Sequence, residues 1–253
     1  MKKRKERIRL WENIFTYATC LSVFLVPVAV IPALHLDFEI IKVSLFRIAV
    51  MTMLLALGMK VLIEQKVSFP KLFSKRESVK FFLFLLFVMG MVWFFSVSKP
   101  LSFWGSYFRM QGLYTQIHYL LFFLLLSLGL KTKKDWGNAF SSLFAGSAIC
   151  LIYGLLQALS LDPLNYNLQE LSLGRIFSFL GHPNYFASYI LLIMFPLISR
   201  LFNDKSWHIG VITSLALVAL LLTGSRAGFL GLIAGFGTLS LLGLLIFKNG
   251  KLW

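Results

Sequence analysis

Charge is scarce in this sequence, and acidic charge scarcest: 14% of residues are charged, and 10 acids face 25 bases. Soluble domains are roughly half apolar with about a quarter of their residues charged. Here 58% are hydrophobic, which excludes water as the solvent for most of the chain. Cysteine is nearly missing. Cys20 and Cys150 both fall inside apolar runs, which leaves no support for a disulfide framework or a thiolate zinc site. His35, His118 and His208 lack metal-ligand spacing, so neither a metal nor another cofactor is expected. Internal repeats, low-complexity tracts and a soluble-domain-sized segment are also missing, the longest gap between apolar runs being Leu161 to Pro183. The basic stretch Met1 to Arg9 precedes an apolar run without a small-residue cleavage site. Tyr17-Ala18-Thr19 ahead of Cys20 lacks the lipoprotein form, so the first run reads as a retained helix.

What is present is a series of apolar runs, near 13–34, 41–62, 80–97, 117–130, 138–160, 184–201, 207–222 and 228–247. Crossing a hydrocarbon core takes roughly 20 helical residues. The expectation is therefore an all-α polytopic membrane protein of about eight transmembrane helices, forming a single helical domain over 1–253. The runs 117–130 and 207–222 are short and need helical extension or local bilayer thinning.

The net charge of +15 raises nucleic acid as a partner, but the bases lie between apolar runs and not on a soluble face with stacking aromatics. Lipid is the expected surrounding. Lys and Arg collect in cytoplasmic loops. With the N-terminus inside, 19 of the 25 bases fall on the cytoplasmic side, and the C-terminus is cytoplasmic too. Six defy the rule: Lys42, Arg47, Lys99, Arg109, Arg175 and Arg226.

Three of these arginines stand in compact polar clusters, each just before a run directed from outside to inside. The clusters are Gly105-Ser106-Tyr107-Phe108-Arg109-Met110-Gln111-Gly112-Leu113-Tyr114-Thr115, Gly174-Arg175-Ile176-Phe177-Ser178-Phe179-Leu180-Gly181-His182-Pro183-Asn184-Tyr185, and Thr223-Gly224-Ser225-Arg226-Ala227-Gly228. A helix N-terminus presents unpaired N–H groups and a positive dipole end, and a guanidinium grips phosphate oxygens bidentately. Convergence of the three helix ends would make an anion site at the membrane surface. The competing readings are structural. Arginines snorkel to headgroups, and His182 and Asn184 sit where a helix cap belongs. Lys42 and Arg47 pair with Asp37 or Glu39, snorkel or touch substrate, and Asp162 and Glu170 are solvated loop carboxylates or an acid/base pair. Gly228, Gly231 and Gly235 are expected to bring neighbouring helices close.

These clusters resemble the O-antigen ligase and polymerase superfamily of bacterial membrane glycosyltransferases, through Arg109-x-Gln111-Gly112-Leu113, Gly174-Arg175 with Leu180-Gly181-His182-Pro183-Asn184-Tyr185, and Thr223-Gly224-Ser225-Arg226-Ala227-Gly228. The resemblance covers roughly residues 10–250 and departs at His182, where family members usually carry Asn. It implies metal-independent transfer of a glycan from undecaprenyl diphosphate to an acceptor hydroxyl on a lipid, glycan or protein, at the extracytoplasmic face of the bacterial inner membrane. Arg226 and Arg175 are then the catalytic groups, and Arg109, Gln111, Ser225, His182 and Asn184 bind substrate. Members of that superfamily continue into a large outward loop with a histidine and further spans, so the chain is expected to be the N-terminal, donor-binding part of a longer protein. A transporter or flippase of a phosphorylated lipid or glycan, and a non-catalytic membrane subunit, remain as alternatives.

Overall fold

A computed structural model of the chain describes residues 2–31, 38–64, 77–162, 164, 174–204 and 207–248. Asp37, His35 and Glu170 lie outside the described residues. All regular structure among the described residues is helical. The helices are α1 (Lys2–Val28), α2 (Phe38–Glu64), α3 (Glu77–Phe94), α4 (Lys99–Trp104), α5 (Leu113–Gly129), α6 (Lys133–Ala158), α7 (Pro183–Asp204), α8 (Trp207–Leu222) and α9 (Arg226–Lys248), with a 3-10 turn at Ser178–Leu180 before α7. The short α4 was not anticipated; its Ser98-Lys99-Pro100 start places proline in the first turn, where a missing N–H costs nothing.

Five helical segments are long and apolar enough to cross a membrane: Lys3–Val28, Glu39–Glu64, Lys133–Ala158, Pro183–Phe202 and Arg226–Leu244. Val79–Phe94, Leu113–Gly129 and Trp207–Leu222 are shorter apolar helices. Their apolar surface is largely uncovered by protein. Only 6% of the most apolar window of α9 is buried, and Leu230, Ile233 and Leu244 are exposed along it. Helices satisfy their own backbone hydrogen bonds, which is what lipid demands of a spanning segment.

The chain forms two compact units, Met1–Gly146 and Ser147–Trp253, with α6 contributing to both. In the first, α1 and α2 pack together through Phe15, Ala18, Val50, Met53 and Ala56, joined by Leu125 of α5. Val79 and Phe82 of α3 pack on Leu120, Leu124 and Leu128 of α5. The helix pair α1–α2 is closed at both ends by cations. Arg4 donates to the carbonyls of Ile63 (2.9 Å) and Glu64 (2.6 Å) at the end of α2. Lys42 donates to those of Val26 (3.2 Å), Pro27 (3.0 Å) and Ala29 (2.7 Å) at the end of α1. Lys42 is thus a helix cap. Lys99 plays the same part for α3, donating to Trp93 and Phe94 carbonyls while lying over both rings.

In the second unit α7 packs on α8 and α9. A Cβ added at Gly228 would meet Ala187 at 3.0 Å, one at Gly231 would meet Leu191 at 2.6 Å, and one at Gly235 would meet the Phe195 ring at 2.1 Å. The contacts advance in the same direction along both helices, so α7 and α9 are parallel, their glycine face seated on side chains spaced four residues apart, as small-residue helix packing requires. Gly235→Leu is expected to force Phe195 aside and cost about 1–3 kcal/mol by overpacking. A thermal melt of the detergent-solubilised variant checks this, and an unchanged midpoint would contradict the packing.

Candidate functional site

Parallel packing places the N-termini of α7 and α9 side by side. Each is capped by its preceding residue. Ser225 Oγ accepts from the Gly228 N–H at 3.2 Å, three residues on, and His182 Nδ1 accepts from the Asn184 N–H at 3.1 Å. Both are ordinary N-cap geometries. Pro183 opens α7 at the position where proline is favoured. Ser225 is buried with its hydroxyl committed to the cap, whereas the imidazole of His182 is exposed beside Tyr185.

Arg175 joins the two helix starts. Its Nε donates to the Thr223 carbonyl at 2.6 Å and an Nη donates to Asn184 Oδ1 at 3.2 Å. The Ile176 N–H reaches the Leu222 carbonyl at 3.4 Å. Gly224 adopts φ +56°, and a Cβ there would approach Arg175 Nε to 3.3 Å, so this turn needs glycine for its backbone and for the guanidinium lying against it. The segment carrying Arg175 is held from α6: Gln157 Oε1 accepts from the N–H groups of Phe177 (3.3 Å) and Ser178 (2.8 Å), and Ser178 Oγ donates to the Cys150 carbonyl at 2.6 Å. Gln157 escaped the sequence reading, since its only signal was an amide near the end of an apolar run. Ser178 sits at φ +52°, a conformation uncommon for a side-chain-bearing residue, over-determined here by those three bonds.

Arg226 is the first residue of α9 and is exposed. Among the described residues no carboxylate pairs with Arg175 or Arg226. The second and third sequence clusters therefore form one cationic surface of two guanidinium groups and two helix N-termini. The arrangement can bind an anion through N–H donors and charge together.

Arg109 and Gln111 belong to the first unit, on a loop closed by two glycines. A Cβ on Gly112 would lie 2.3 Å from Gly105 N and from the Phe103 carbonyl, and Gly105 adopts φ +84°. No other residue fits at Gly112. The loop between them exposes Arg109 and Gln111, and Met110 at its base takes φ +48°. Arg47 of α2 holds that base, donating to the Thr115 hydroxyl at 2.5 Å and the Met110 carbonyl at 3.3 Å. Gly112→Ala is expected to open this neck; faster tryptic cleavage after Arg109 with α1–α2 otherwise intact is the readout, and unchanged cleavage would refute the closure.

Asp162 is not a solvated carboxylate. It accepts from the Tyr153 hydroxyl at 2.5 Å and the Leu164 N–H at 3.1 Å, and Tyr153 stacks on Phe179 at 4.1 Å. Tyr153 thereby links α6 to the 3-10 turn, with Asp162 holding its hydroxyl. Among the described residues no group of three or more His, Cys, Asp or Glu is arranged to hold a metal, and Cys20 and Cys150 form no disulfide.

Fold and surface define the class: an all-helical, multi-pass membrane protein with a cationic cluster at paired helix N-termini. The chain matches no protein-family model, no curated protein and no solved structure.

Proposed function

We propose that the chain is an O-antigen ligase-like glycosyltransferase, or the donor-binding half of one, which transfers a glycan from undecaprenyl diphosphate to an acceptor hydroxyl outside the cytoplasm. The observation that supports this reading best is Arg175 joining the N-termini of α7 and α9 beside the exposed, unpaired Arg226. Breaking a sugar–phosphate bond builds negative charge on the leaving diphosphate, and preorganised donors and cations lower that barrier. In this proposal Arg226 meets the diphosphate, Arg175 holds both helix starts and lends its charge, and Asn184 and His182 line the rim. Ser225 acts through the cap it makes.

The topology belongs to the same proposal: eight spans, both ends cytoplasmic, and the cluster on the extracytoplasmic side of a bacterial inner membrane. That orientation follows from the 19 bases that obey the charge rule. The acceptor is a lipid, a glycan or a protein side chain. The test is transfer of labelled glycan from its undecaprenyl-diphosphate carrier by membranes containing the wild-type chain within its full-length gene product, against Arg226→Ala. Retained transfer by the variant would sink the reading, and a transporter or flippase would instead move the lipid-linked glycan across the bilayer without transferring it.

A further inference from the structure

Arg47 is the ninth residue after Phe38 in α2, so a rise of ~1.5 Å per residue puts it ~14 Å into the helix. A charge at that depth is costly unless it faces a partner or a cavity. Its described partners are neutral: the Thr115 hydroxyl, the Met110 carbonyl and the Tyr114 ring, 4.8 Å from Cζ. The Nε–H is buried and has no partner among the described residues. No carboxylate among the described residues pairs with this guanidinium.

Beside it stands His118, 1% exposed, its ring 4.6 Å from that of Tyr114. Nδ1 lies 2.7 Å from the Tyr114 carbonyl. A carbonyl only accepts, so Nδ1 carries the proton, and in the neutral ring Nε2 is a bare acceptor. Nε2 has no partner. Arg47, Tyr114 and His118 line one open cleft of about 390 Å³, whose remaining wall includes Ile48, Met51 and Leu55. Those three apolar side chains are exposed and recur at a helical spacing of three and four, forming a stripe that leads away from Arg47 along α2.

Arg47 and His118 thus line the cleft, each with a buried polar atom that lacks a partner among the described residues, and an apolar track runs on from Arg47. The geometry points to a binding site for a long-chain lipid carrying a terminal phosphate monoester. The Arg47 Nε–H donates to a phosphate oxygen, the remaining P–OH donates to His118 Nε2, and the alkyl chain lies along Ile48, Met51 and Leu55. A phosphodiester lacks the P–OH donor, and inorganic phosphate lacks the chain, so both bind less well. The site lies within the first unit and stands or falls independently of the glycan-transfer proposal.

The experiment is calorimetric titration of the chain in a non-ionic maltoside detergent with monododecyl phosphate, dodecyl methyl phosphate, butyl phosphate and inorganic phosphate. Monododecyl phosphate is expected to bind roughly tenfold or more tightly than the other three, the loss of one charge-assisted or neutral hydrogen bond or of the apolar track each being sufficient for that factor. Arg47→Gln is expected to abolish that advantage, and His118→Phe to erase the discrimination between monoester and diester. Because Arg47 also steadies the loop base, Leu55→Gln supplies an arm at an exposed position. It weakens monododecyl phosphate and leaves butyl phosphate unchanged. Equal affinity for monoester and diester, equal affinity for inorganic phosphate, or wild-type binding by the Arg47 or Leu55 variant would each overturn the proposal.

Discussion

Arg226→Ala is expected to lower glycan transfer by about 10²–10³-fold, the range seen when one preorganised charge-stabilising group is removed from a reacting centre. Folding is not expected to suffer. The side chain is exposed and makes no hydrogen bond or ion pair among the described residues, while α9 keeps its cap through Ser225 Oγ and the Gly228 N–H. Arg226→Lys retains the charge but not the planar pair of donors that matches a phosphate, so intermediate transfer is expected. Equal loss in the Ala and Lys variants would assign the effect to bidentate geometry, and wild-type transfer in both would remove Arg226 from the chemistry. Membrane insertion is followed separately, by protease protection of tagged ends.

Arg175 behaves differently because it works in two directions. Its Nε holds the Thr223 carbonyl and an Nη holds Asn184, so removing it loosens the turn before α9 and frees the rim of α7 at once. A variant here changes the placement of Arg226 as well as the local charge. The contrast between the two arginines follows from burial and partners, not from sequence: both read as lone cations next to glycine and a helix start.

Hydropathy was sufficient for the long helices, because lipid imposes a length and a composition that a run of apolar residues displays openly. The runs 41–62, 184–201 and 228–247 became Phe38–Glu64, Pro183–Asp204 and Arg226–Lys248, longer because helices extend past the apolar stretch, the latter two starting at the caps His182 and Ser225. The cap at His182 was legible for the same local reason, a side-chain nitrogen and the N–H it accepts from being two residues apart, whereas Ser225 read as a substrate contact and proved to be the cap of α9. The glycine face of α9 was legible too, as glycines spaced three and four residues apart, although its seats on Leu191 and Phe195 were not.

What escaped the sequence were pairings across long separations. Arg47 and Thr115 are 68 positions apart, Arg175 and Thr223 are 48 apart, and no periodicity encodes either. The six cations that break the charge rule all looked alike. In the structure Lys42 and Lys99 cap helices, Arg47 and Arg175 hold turns, and Arg109 and Arg226 are exposed. The sequence offers His118 only as a metal ligand, and without the spacing for one, although its place one turn after Tyr114 sets it in the cleft lined by α2.

Lys42→Met should be the most damaging substitution for stability. The last turn of any α-helix leaves carbonyls without intrahelical donors, and a bilayer offers them no water. Pro27 lies in that turn of α1. A lysine ammonium supplies three donors, and Lys42, 9% exposed, places it against three carbonyls at 2.7 to 3.2 Å. Methionine keeps the length and apolar stem but abandons all three, a loss of about 2–4 kcal/mol if the carbonyls stay buried. For a chain of this size that corresponds to a fall in Tm of roughly 5–15 °C. Lys42→Gln, which retains two donors without the charge, should recover part of it. The melt is measured in detergent at neutral pH. If the Met variant melts with the wild type, the α1 end is hydrated and Lys42 is a snorkelling cation after all; if Gln and Met are equally destabilised, the charge, not the donors, holds the two helices together.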